Sequence, residues 1–468
     1  MITYHVDFSL CRLAAMAVSK HLWRHSHLKN VLESFLETGV TRRDETVPRA
    51  ITSVMNQLIL PEPAKEELML AIATMGWQMC DVFSELEWIY PDVIGDVSRQ
   101  KHAQISSYMD RIHWRNDRCL HLADIMRALY YSKCFSENYT TWVELSRYCL
   151  EDCMNDLWPK LSEMEQSVSW RDLHDIIHDL GFDKKHECDY ILQIYWVARM
   201  KNELPNATGA SFRVWNASYY DGVSSLSEVI IVNSFVSGNY QALQYFWKLL
   251  DDKQRVRTIT NIGHIINHEY SHGANTFLLK EKRGGNYFLS FLFQQLSFYH
   301  LDDVRIGLLR WGFVLRQMLN WPHDNRFLAL LRESLLYHDS IDYGPIFVGI
   351  FNNIDDLHQF IQYDVKYHRI FCEIWTMNPK NLKKSINDAE ALGLLEKLKN
   401  VRLYNYILED EELKGMRKTL LNKIMDGWRS IDSHFEEEFI AKVLVSQEER
   451  EWFKYQISWL PGTRRRLE

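Results

Sequence analysis

The sequence predicts an all-α fold of stacked antiparallel helix pairs with one irregular interval, and three observations carry that prediction. Apolar residues recur at spacings of three and four wherever a pattern can be read, the period of an amphipathic helix. Helix-breaking residues are scarce, with 19 Gly and 10 Pro among 468 residues, so turns are few and helices long. The brief breaks in the rhythm include a Gly-containing turn of the kind that joins two antiparallel helices.

Along the chain, Leu10, Leu13, Ala14, Ala17, Val18 and Leu22 form the first stripe, and Leu68, Leu70, Ile72, Ala73, Met75 and Trp77 belong to a second apolar segment. Residues 118–134, 141–161, 186–200 and 239–250 carry the same period. Asp172 to Leu180 reads as a short helix stopped by Gly181, a residue suited to the left-handed position after a helix end. From Leu204 to Asn233 the rhythm fails: Pro205, Asn206, Gly209, Gly222 and several serines lead into Val229-Ile230-Ile231-Val232, a run short enough for one strand. Residues 204–233 are therefore expected to link an N-terminal helical region, 1–203, to a C-terminal helical-repeat region, 234–468, with an inserted loop and small hairpin as the competing reading. Beyond it, Asn261 to Lys282 reads as a helix, Arg283-Gly284-Gly285-Asn286 as a tight turn and Tyr287 to His300 as the returning helix. Trp321-Pro322 stops the next helix, and another begins near Asn325.

Composition narrows the function classes. A net charge of −8, with 54 Lys+Arg against 62 Asp+Glu, argues against a nucleic-acid partner, because phosphate neutralisation requires a basic face. The compact basic run Arg464-Arg465-Arg466 reads as a solvated tail. Eight dispersed cysteines without a Cys-x-x-Cys pair suit buried thiols in a reducing compartment. The sequons at Asn138, Asn206 and Asn216 matter only if the chain is secreted, and residues 1–7 show no basic segment followed by an apolar one. The most apolar segment, Phe288 to Tyr299, is too short to span a bilayer. A cytoplasmic protein with no membrane partner is the expectation.

An internal echo fits repetition and equally fits coincidence among amphipathic helices, since 16 tryptophans give many chances to align. The segment from Cys149 through Trp158 to Leu161 parallels the segment from Gly238 through Trp247 to Leu250, with small and large apolar positions five and four residues before each tryptophan. His21-Leu22-Trp23 fits as a third copy. Ser237-Gly238-Asn239-Tyr240-Gln241-Ala242-Leu243-Gln244-Tyr245-Phe246-Trp247 resembles the start of the second helix of an ankyrin repeat, where glycine and a small polar residue precede an apolar helical face. These tryptophan-ended segments are similar to divergent ankyrin-like helical-repeat proteins of expanded invertebrate families, although the Thr-Pro-Leu-His turn of ankyrins is missing. The resemblance implies an α-solenoid with an interaction surface for an unidentified protein partner, no enzymatic activity and no cofactor.

One motif points elsewhere. His268-Glu269-Tyr270-Ser271-His272 places two histidines one helical turn apart, where they can chelate Zn²⁺, with Glu269 positioned in sequence as the general base of a zinc metallopeptidase. Catalytic zinc normally takes three protein ligands. No histidine or Asn-Glu-x-x-x-Asp helix follows at a known spacing; Glu281 and Glu333 are the nearest downstream carboxylates, and His264 shares the same helix. Histidines four apart also recur at His21/His25 and His174/His178, as a habit of the composition would produce. The scaffold is thus the primary expectation. The alternative is a zinc peptidase with His268 and His272 as ligands and Glu269 as base.

Overall fold

A computed structural model describes residues 9–25, 28–30, 46–89, 122–133, 135–173, 184–205, 225–271, 285–320, 324–339, 341–358, 365–377, 382–386, 393, 395, 400–426 and 433–458. Among these, regular structure is entirely helical and no strand occurs. The chain divides into two compact units, Met1–Leu308 and Leu309–Glu468.

The first unit opens with α1 (Leu10–His25), α2 (Thr46–Gln57) and α3 (Glu62–Ile89). Helix α1 packs on α3 through Ala15, Met16, Ser19 and Trp23. The Arg12 guanidinium meets Glu67 at 2.5 Å, and the Trp23 indole N–H donates to the Ile72 carbonyl at 3.1 Å. Gly76 makes room for this ring: a Cβ there would sit 2.6 Å from it. Because Arg12 pairs with Glu67 and Trp23 with Gly76, α1 and α3 run parallel. The stripe seen in the sequence faces the other way, since Leu10, Leu13, Ala14, Ala17 and Val18 are exposed. A helix with apolar residues on both sides carries no sequence signal for which side meets its neighbour.

Next come α4 (Leu122–Tyr131), α5 (Tyr139–Arg147), α6 (Glu151–Leu157), α7 (Lys184–Met200), α8 (Leu226–Ser237), α9 (Tyr240–Trp247), α10 (Asp252–Ser271), α11 (Gly285–Phe298) and α12 (Asp302–Leu309). Helix α5 packs on α6 and α7, α7 on α8, and α8 on α9 and α10. Asn138, one of the sequons, caps α5 by accepting the Thr141 N–H at 2.9 Å. Besides Lys133 (φ 55°), which follows α4, four helices end on a left-handed residue: Cys149 (φ 53°), Asn202 (φ 57°), Gly238 (φ 77°) and His300 (φ 55°). After each, the next N–H reaches back five residues: Leu150 to Leu145, Glu203 to Ala198, Asn239 to Ser234 and Leu301 to Leu296, at 2.7 to 3.1 Å. This closure satisfies the last carbonyls and reverses the chain within two residues. Residues 141–161, read as one stripe, are broken in this way at Cys149.

The expected strand is not one. Val229, Ile230, Ile231 and Val232 lie inside α8, all buried. Ser225 caps that helix by accepting the Glu228 N–H, and Gly238 ends it. A helix enclosed on every side needs no polar face, so its apolar run loses the helical period and imitates a strand. Residues 206–224, the helix read beyond Leu173, and the Trp321-Pro322 step lie outside the described residues, and of the expected turn at 283–286 only Gly285 and Asn286 are described, as the first residues of α11.

The second unit contains α13 (Gly312–Gln317), α14 (Phe327–Tyr337), α15 (Gly344–His358), α16 (Val365–Met377), α17 (Val401–Leu408), α18 (Arg417–Asp426), α19 (Ser433–Lys442) and α20 (Gln447–Ser458). Helix α15 packs on α13 and α16, and α17 on α19. Phe347, Phe351, Phe371 and Trp375 stack between α15 and α16, with Phe371 and Trp375 ring centroids 5.2 Å apart. Among the described residues no helix is long and apolar enough to cross a membrane.

Candidate functional site

Helix α10 carries the histidine motif. It is set by Ile259, Ile262 and Ile266, all buried, and by two close approaches to α12. A Cβ on Gly263 would lie 2.2 Å from the Val304 side chain, and one on Gly307 would lie 3.2 Å from Asn267. His264 is exposed. His268 and Glu269 occupy the last turn, so the backbone up to Ser271 has the helical form that the metal reading requires. Their side chains, and His272 altogether, lie outside the described residues. Among the described residues no three His, Cys, Asp or Glu side chains are grouped to hold a metal ion.

One polar cluster of the first unit joins α6, α7 and α9. Arg199 donates to the Glu151 carboxylate and, at 2.9 Å, to the Tyr195 hydroxyl. The Tyr245 hydroxyl donates to the other Glu151 oxygen at 2.7 Å. The guanidinium lies 5.4 Å from the centre of the Trp196 ring. Burial, and then the hydrogen bond to Glu151, pushes the Tyr245 phenol well above its usual range; burial also raises Tyr195, outweighing the opposing pull of Arg199. Both phenols stay protonated at neutral pH and act as donors or acceptors rather than as bases. The cluster is therefore suited to holding three helices in register, not to acid–base chemistry. Its members are far apart in sequence, so no spacing announced it.

The nearby thiol of α6 is no better suited to chemistry. Cys153 is fully buried, and burial pushes its pKa up to about 12. A thiol so placed is a core residue rather than a nucleophile.

The two echoing segments agree at several positions, although Trp158 is half-buried where Trp247 is buried. Cys149 and Gly238 both hold the left-handed turn, and Glu151 and Tyr240 both begin the following helix. Cys153 and Ala242, Met154 and Leu243, Leu157 and Phe246, and Leu161 and Leu250 are buried in matching pairs. The two hairpins also touch: the Asn239 side-chain amide donates to the Arg147 carbonyl at 2.9 Å, while its oxygen caps α9 through the Ala242 N–H. No family model, curated protein or solved structure matches the chain.

Proposed function

We propose that the chain is a non-enzymatic scaffold for protein–protein interaction, built on ankyrin-like helical repeats and working in the cytoplasm. The carrying observation is the pair of hairpins, α5/α6 and α8/α9, which share a turn geometry and a buried register. A unit of this kind buries one face only when a neighbour stacks on it, and stacking leaves a continuous outer surface for a partner. The α5–α7–α8 packing and the Glu151–Arg199–Tyr245 cluster support such stacking. Among the described residues, the thiols Cys11, Cys153 and Cys372 are outside any disulfide, which supports a reducing compartment.

Under this reading no cofactor is required, and His268, Glu269 and His272 have no catalytic or metal-binding role. Affinity capture from native extract is expected to recover the same protein partner with the wild-type chain and with Glu269→Gln. Recovery of no partner, together with peptide hydrolysis that Glu269→Gln abolishes, would replace the scaffold with the zinc-peptidase alternative.

A further inference from the structure

We draw no further inference here: the strongest candidate, the outward apolar face of α1 formed by Leu10, Leu13, Ala14, Ala17 and Val18, carries nothing because nothing in the structure shows what covers it.

Discussion

Single residues determine where this chain reverses. A left-handed backbone at a non-glycine residue costs about 1–2 kcal/mol, less for asparagine, and His300 bears that cost at an exposed position. His300→Gly should therefore raise the stability of the first unit by about 0.5 kcal/mol, the greater unfolded freedom of glycine offsetting part of the gain. Asn202→Gly should change it less; chemical denaturation followed by tryptophan fluorescence compares the two. Gly312 carries the opposite constraint, since a Cβ there would lie 1.9 Å from the Asp342 carbonyl oxygen. That neighbour is backbone and cannot rotate away, so Gly312→Ala should destabilise the second unit by about 3 kcal/mol in the same assay. Gly238 was legible in the sequence because glycine advertises the left-handed turn. Cys149, Asn202 and His300 were not, because only the backbone reveals their conformation.

At the scale of elements, hydrogen-bonded clips hold helix ends together. Arg417, at the start of α18, donates to the Leu408 and Val443 carbonyls at 2.7 and 2.6 Å and to Glu449 of α20 at 2.7 Å. That hydrogen bond from Arg417 holds the Glu449 carboxyl below its usual value, against the opposing effect of burial. A depressed folded-state pKa adds stability above the unfolded value, near pH 4.3, and that stability disappears as pH falls through the folded pKa. Glu449→Gln should accordingly destabilise the second unit at neutral pH, with the difference from wild type shrinking below about pH 4. Arg417→Ala should cost about 2 kcal/mol at pH 7, because two helix-end carbonyls lose their donor. Denaturation midpoints measured from pH 3 to 7 check both. Sequence reasoning placed many helices of the first unit because amphipathic periodicity survives wherever one side meets solvent, and it named none beyond the helix near Asn325. It failed at α8, whose buried Val229–Val232 run has no polar side, although Ser225, Glu228 and Gly238 marked its ends in the sequence. It also found the α1 stripe without its direction, which the Trp23 and Gly76 contact determines.

At the scale of the whole molecule, helical content was legible from composition and period, but the stacking of helices depends on pairs distant in sequence. Asn239 with Arg147 and Tyr245 with Glu151 are such pairs, and no local pattern predicts them. The candidate metal site was legible as spacing on a helix, and α10 has the required backbone as far as Ser271. Spacing alone does not supply a third ligand. The central claim is that the repeated hairpins, rather than this motif, carry the function. Zinc content of the native protein, purified without chelator or histidine tag and measured by mass spectrometry, tests that claim most directly. A scaffold should carry less than about a tenth of an equivalent, unchanged by His268→Ala, because surface histidines lacking a complete ligand set hold zinc weakly. Near-stoichiometric zinc that His268→Ala removes would contradict the account and make α10 the wall of a metal centre.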